Sequence, residues 1–577
     1  MTDAAMTRTA PRRRARLRPV DWLGLGVVAA LTLLVLAPMA TVVAQAFVPG
    51  AFTGQAMQAG PGLLLEIFER PLWRRALSNS LFLATVAALA GGIIGTALAV
   101  LRASGRMALG GALDVAAWAI IILPSFIVAQ GWILFASRGG IANQWFGLGF
   151  VPDMVFNPWG LAAVMALKSW PFAYITVSAA LHWRMEDHLH AARLCGASAL
   201  RILWTVRIPM LLPAVLSGAV LIFIDVLGDF GLPAALATTY RFPTLTYAIY
   251  VAINQSPIRF DLAGVLAFYV TAIMAAAVLL YITALRRRRH DFLGARAQAA
   301  PGGRARAGLP DAAAALALTL ALVIPIGSSV LVSFTDRISA GFALSNLTLR
   351  HYDFVLQTGG AFLSALSTSL WIAAQTAAGS AILATAAAYV MTFSDFRLNR
   401  LIDVTCTLSL AVPGVVLGIG YIFVWNAPAV DRAGLSLYGT QHILVLAGIA
   451  GAVPIAVRVL LGAMAQVPAS MLSAAALQGA GLGRQIMTIA VPLIAAALVA
   501  ATLTAFGSAV FDLAINAILR PPRLQVLPVY VNRAFEQGEF GAATAATLVA
   551  GGLTVAIIAA ISAGARAALR RLLHTPG

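Results

Sequence analysis

Twelve apolar stretches recur along this chain, and each is long enough to cross a bilayer. A membrane-spanning helix needs about 20 mostly apolar residues, because the hydrocarbon core offers no partner to an exposed peptide group. In the first half the stretches are Trp22–Ala46, Ser80–Leu101, Leu113–Phe135, Trp159–Leu181, Leu211–Phe230 and Leu262–Leu285. In the second half they are Ala312–Phe334, Ser369–Phe393, Val404–Trp425, His442–Met464, Leu493–Leu513 and Ala542–Ala563. The pattern predicts an all-α polytopic membrane protein with 12 spans. Composition agrees, since only 10% of the 577 residues are charged and 60% are hydrophobic. A soluble domain carries about 25% charged residues, so this chain has too few to clothe a water-facing surface.

The net charge of +18 raises nucleic acid as a partner, but the arginines sit where topology requires them. Arg12, Arg13, Arg14, Arg16 and Arg18 precede the first stretch, and Arg102 and Arg106 follow the second. Arg184, Arg193, Arg201 and Arg207 lie between the fourth and fifth, and Arg286–Arg289, Arg296, Arg304 and Arg306 follow the sixth. These are alternate loops, and positive loops stay in the cytoplasm. No nucleic acid is expected, and both termini are expected inside. The first apolar run exceeds the roughly 7–15 residues of a signal peptide, so it is expected to remain as the first span behind a basic segment, 1–19.

One stretch occurs twice. His190–Pro209 reads HAARLCGASALRILWTVRIP, and Ser473–Pro492 reads SAAALQGAGLGRQIMTIAVP. The two align without a gap at an offset of 283 residues, with Ala191/Ala474, Ala192/Ala475, Leu194/Leu477, Gly196/Gly479, Ala197/Ala480, Arg201/Arg484, Thr205/Thr488 and Pro209/Pro492 identical. Elsewhere Pro38/Pro325 match at 287, Pro124/Pro413 and Gly131/Gly420 at 289, and Pro171/Pro454 at 283 again. The chain is therefore two homologous halves. Each has an even number of spans, so the halves run parallel. The expected division is 20–285 for the first half, a cytoplasmic linker at 286–311 rich in Arg, Gly, Pro and Ala, and 312–577 for the second.

Each repeated stretch reads as two short helices broken at Gly196 or Gly479, where the absent Cβ permits a sharp change of direction. Pro209 or Pro492 marks the start of the next span, since proline is tolerated in a first helical turn. Such a polar helix pair suits docking into a partner's groove. An amphipathic connector without a partner is the plainer alternative, and two copies at equivalent positions weigh against it.

These residues resemble the EAA loop of binding-protein-dependent ABC importer permeases: Glu-Ala-Ala, three residues, Gly, nine residues, Ile, one residue, Leu-Pro. The resemblance covers essentially the whole chain, each half looking like one permease domain of the type I importer fold. Gly228–Tyr250 and Leu519–Ala543 are similar to the ferric iron, thiamine, polyamine and phosphonate branch. The resemblance implies a bacterial inner-membrane permease that pairs with two ATPase subunits on the cytoplasmic face and a periplasmic solute-binding protein above. It implies ferric iron as first substrate, with thiamine, 2-aminoethylphosphonate or polyamine as alternatives. It assigns ATPase coupling to His190, Ala191, Ala192, Gly196, Arg201 and Pro209, and to Ser473, Ala474, Ala475, Gly479, Arg484 and Pro492. The sequence departs from the family where its leading glutamate stands: His190 and Ser473 replace it. Glu186 and Asp187 lie one turn upstream of the first copy, and no acid lies near the second.

The chain is not expected to hydrolyse ATP. A phosphate-binding Walker loop needs a glycine-framed lysine, and the single lysine, Lys168, sits in AVMALKSW inside an apolar stretch. No cofactor motif and no metal-ligand spacing occurs. Cys195 and Cys406 are too few and too scattered for a disulfide framework. Charges within spans are costly and face cavities or partners. Asp225 and Asp229 lie one turn apart, and Asp229 corresponds to Asp512 at the 283 offset. They either line a translocation path or cap and pair locally. Lys168 either pairs with Asp225 or Asp229 or meets an anionic group, and Arg458 is expected to reach toward the cytoplasmic interface. A 12-span secondary transporter would share parallel halves, but the loop RASGRMALGG between spans two and three lacks the acidic, arginine-rich pattern expected there.

Overall fold

The computed structural model describes residues 18–49, 52, 62–103, 107–181, 191–240, 242–286, 308–341, 343–410 and 412–574. The basic segment 1–17, the linker 287–307, His190, Glu186 and Asp187 lie outside the described residues. Among the described residues helices are the regular elements, apart from one isolated bridge between Thr335 and Leu347. Nine helices there are long and apolar enough to cross a membrane, or twelve if each of three bent pairs counts as one span.

In the first half these are α1 (Pro19–Phe47), α2 (Pro71–Ala103), the bent pair α3 (Gly110–Ile122) and α4 (Ser125–Phe146), α5 (Pro158–Leu181), α6 (Trp204–Gly228), the shorter α7 (Gly231–Tyr240) and α8 (Leu245–Asn254), and α9 (Phe260–Tyr281). The second half repeats the plan with α10 (Leu309–Ser333), α11 (Ala361–Phe393), the bent pair α12 (Asn399–Ser409) and α13 (Gly414–Trp425), and α14 (His442–Met464). It continues with α15 (Ala469–Leu477), α16 (Ala495–Val510), α17 (Leu513–Leu519), α18 (Leu527–Glu536) and α19 (Phe540–His574).

The third span of each half is not the continuous helix that its apolar run suggests. The chain turns by 104° between α3 and α4 and by 117° between α12 and α13. Proline forces both turns. It disfavours the helical conformation in the residue before it, and Leu123 is extended at ψ 123°, followed by Pro124 at ψ 134°. Pro413 repeats this at ψ 146°.

Two other prolines widen helices instead of breaking them. Pro38 and Pro325 each follow a five-residue π segment, Thr32–Leu36 and Thr319–Val323. Proline lacks an N–H and crowds the carbonyl four residues earlier, and a π bulge relieves that crowding. The carbonyl freed by Pro38 is that of Leu34, and the buried Tyr421 hydroxyl donates to it at 3.1 Å.

That bond crosses between halves, and so does the packing around it. A Cβ on Gly420 of α13 would collide with the Pro38 carbonyl of α1, and a Cβ on Gly131 of α4 with the Pro325 carbonyl of α10. The first span of each half thus lies against the third span of the other. The largest hydrophobic core accordingly draws on both, from Leu34 and Phe126 to Tyr421 and Ala550. The shorter helices are held alike as well: the Leu245 N–H donates to Ser80 Oγ, and the Leu527 N–H to Ser369 Oγ, both at 2.8 Å.

Candidate functional site

The candidate residues gather in two places, a cavity where the halves meet and the pair of repeated loops.

The cavity measures about 400 Å³. Lys168, Asp225 and Asp229 of the first half and Asp512 of the second all line it. The bend at Pro124 brings Ile121 and Ser125 to its wall, and Ser508 of α16 and Phe511 at the break after that helix also line it. Lys168 Nζ lies 3.0 Å from Asp225 Oδ2 and 3.2 Å from Oδ1, and Ser169 Oγ donates to the same carboxylate at 2.7 Å. An ammonium this buried persists only with a close counter-charge and further hydrogen bonds. Asp229 Oδ1 accepts from Ser125 Oγ at 2.6 Å and from the Gly231 N–H at 2.9 Å, at the start of α7. Asp512 Oδ1 accepts from the Ile515 N–H at 3.0 Å, at the start of α17. A carboxylate at a helix N-terminus satisfies orphan N–H groups and meets the positive end of the dipole. Asp229 and Asp512 therefore cap helices and face the cavity at the same time. The wall presents three carboxylates against one ammonium.

Sequence reasoning misses Ser125, Ser508 and Phe511. Ser508 carried a signal, since it is the repeat mate of Asp225 at the 283 offset. Arg458 does not simply reach outward: its Nη2 lies 2.8 Å from Asp403 Oδ1. Among the described residues no group of three or more His, Cys, Asp or Glu side chains could hold a metal ion.

The two loops share one backbone geometry. Residues 191–194 form a helical turn that ends with the Ala197 N–H donating to Ala192 O at 3.1 Å, around Gly196 at φ +77°. In the second loop α15 ends with the Ala480 N–H donating to Ala475 O at 2.9 Å, around Gly479 at φ +82°. A six-to-one bond closing over a left-handed glycine is a Schellman ending, and it sets the corner in each copy. Past the corner each loop enters a π segment, Leu203–Arg207 or Ile486–Ala490, that precedes Pro209 or Pro492. Ala191, Arg201, Pro209, Ser473, Ala474, Arg484 and Pro492 are exposed, as are both glycines, and Ala192 and Ala475 are half-buried.

Exposure also picks out residues beyond the EAA positions. Leu194 and Leu477 are 89% and 91% exposed, and Trp204 and Met487, one further matched pair, are 64% and 67% exposed. Cys195 is exposed in the same corner, whereas Cys406 is buried.

Comparison with known proteins agrees with this plan. Residues 91–298 match the family described as binding-protein-dependent transport system inner membrane component. The chain is 24% identical over 507 residues to a ferric transport system permease protein of Actinobacillus pleuropneumoniae, covering 84% of this chain and 70% of that one. It is 25% identical over 533 residues to a probable ABC transporter permease protein of Sinorhizobium fredii, covering 88% and 90%. It is also 26% identical over 219 residues to a sulfate transport system permease protein of Escherichia coli, covering 37% and 76%. Residues 91–298 thus match a binding-protein-dependent permease domain, and over most of its length this multi-pass inner-membrane chain is similar to ABC importer permeases.

Proposed function

We propose that this permease carries ferric iron, handed over by a periplasmic binding protein, and that two separate ATPase subunits drive it from the cytoplasm. In this reading 20–285 and 312–577 are the two permease domains, 286–311 joins them, and both termini are cytoplasmic. The loops His190–Pro209 and Ser473–Pro492 are the docking elements. Gly196 and Gly479 set their corners. Ala191, Ala192, Arg201 and Pro209 lie along the surface of the first loop, and Ser473, Ala474, Ala475, Arg484 and Pro492 along that of the second. ATP-driven closure of the ATPases rocks the halves about the cavity lined by Lys168, Asp225, Asp229 and Asp512.

The observation that carries the docking part is the matched exposure of Leu194 with Leu477 and of Trp204 with Met487. Large apolar side chains repeated at equivalent exposed positions suit a protein partner. Two observations support iron over sulfate. Ferric permeases are among the relatives that span most of the chain. The cavity wall is also mostly carboxylate, which favours a cation and repels an oxyanion.

The test is uptake into energised vesicles that contain the permease, its ATPase and its binding protein. Ferric uptake that requires ATP and survives an uncoupler is the expected result. Uptake of thiamine, a polyamine or 2-aminoethylphosphonate in place of iron would replace the substrate. Proton-driven uptake by this chain alone would replace the mechanism with that of a secondary transporter.

A further inference from the structure

The two repeated loops share a corner but are fastened to their halves differently. In the first half the loop runs straight into α6, which continues unbroken from Trp204 to Gly228. In the second half the corresponding helix is broken by 85°, between Leu482–Leu493 and Ala495–Val510. The second loop therefore lacks the continuous rod that the first one has. It has another attachment. The Tyr389 hydroxyl donates to Gln485 Oε1 at 3.3 Å, and Gln485 Nε2 donates to Ala480 O at 2.7 Å. Ala480 follows Gly479, so one side chain ties the corner of the loop to the end of α11. Tyr389 is buried at 3% exposure, and Gln485 is half-buried.

The first half cannot make this tie. Serines 80 and 369, which hold equivalent helices, set the offset between α2 and α11 at 289. At that offset the mate of Tyr389 is Val100, and at 283 the mate of Gln485 is Ile202. Neither side chain can hydrogen-bond. The difference is local, because the threonine beside it behaves alike in both loops: Thr205 Oγ1 donates to Arg201 O at 2.7 Å and Thr488 Oγ1 to Arg484 O at 2.6 Å.

We propose that Gln485 is a positioning residue that makes α11 move with the second loop, so that the two halves receive the ATPase stroke through different helices. The first half takes it along α6. The second takes it through Gln485 and Tyr389 into α11, around the break at Ile494. This rests on the reading of the loops as ATPase-docking elements. It adds that docking and transmission are separable in the second half.

The test uses the full complex of permease, ATPases and binding protein in proteoliposomes, with Gln485→Leu and Tyr389→Phe. Tyr389→Phe removes one oxygen and so guards against misfolding. Tyr389→Phe, which lies outside the loop, is expected to bind the ATPases normally and to keep basal ATP hydrolysis. Cargo moved per ATP is expected to fall about fivefold, the lower end of typical coupling between sites. The double variant is expected to be no worse than Gln485→Leu alone, as for two members of one linkage. Unchanged cargo per ATP in both single variants overturns the proposal. So does loss of ATPase binding in both, which would make Gln485 and Tyr389 part of the docking contact. The underlying docking reading is tested separately by Leu194→Ser/Leu477→Ser: wild-type ATPase binding in that variant overturns the reading itself.

Discussion

Lys168 and Asp225 close a 3.0 Å ion pair between α5 and α6, the two helices that lead into and out of the first repeated loop. Their side chains are 10% and 22% exposed. The second half has Gly451 and Ser508 at the equivalent positions, so the clamp is a property of one half. Removing one partner of a buried pair strands the other charge and costs about 3–5 kcal/mol, whereas removing both often costs little. Lys168→Met is therefore expected to lower thermal stability in detergent strongly and to stop uptake. Lys168→Met/Asp225→Leu is expected to recover most of the stability and little of the uptake. A double variant as unstable as the single one would show that the ion pair is not what holds α5 to α6.

Gly131 and Gly420 should be intolerant of any larger side chain. Each faces a proline carbonyl of the opposite half at a distance where no Cβ fits, and backbone on both sides leaves nothing to yield. Overpacking a core usually costs about 1–3 kcal/mol, and two rigid backbones put Gly131→Val and Gly420→Val at or above the top of that range. Folded yield on size exclusion is expected to collapse for both. Gly26→Val and Gly111→Val, which have open space around them, should elute like the parent.

Gly196 and Gly479 have open space where a Cβ would stand, yet both hold positive φ, at +77° and +82°. A left-handed conformation costs an ordinary residue about 1–2 kcal/mol. Gly196→Val and Gly479→Val should insert and fold, with the corner of the loop redrawn. Capture of the ATPases is the readout, and it is expected to weaken for each variant and further for the pair. Wild-type capture by the double variant would mean that the corner is not a docking element.

Asp114 and Asp403 are repeat mates at the 289 offset, and each holds an arginine from a different helix. Arg102 of α2 reaches Asp114 at 3.0 Å, and Arg458 of α14 reaches Asp403 at 2.8 Å. All four side chains are between 33% and 46% exposed, and such pairs contribute at most about 1 kcal/mol. Arg102→Met and Arg458→Met are each expected to shift unfolding only slightly, and the two effects should add, since the sites share no partner. A large loss from either would point to a role beyond pairing.

The sequence by itself determined the helical class, the number of apolar runs and the two parallel halves. Hydrophobic length and charge placement are local properties, and the repeat offset is arithmetic on one string. The corners at Gly196 and Gly479 were legible for the same reason, because only glycine takes that conformation without cost. The bends at Pro124 and Pro413 were not. A proline in an apolar run kinks, widens or breaks a helix according to what packs beside it, and Pro38 and Pro325 widen theirs whereas Pro124 and Pro413 turn the chain by more than 100°. Tertiary structure alone decided that α1 lies on α13 and α10 on α4, that Asp512 shares a cavity with Lys168, Asp225 and Asp229, and that Tyr389 finds Gln485. These contacts join residues tens to hundreds of positions apart. Their geometry depends on how two whole halves interlock, and no local pattern encodes that.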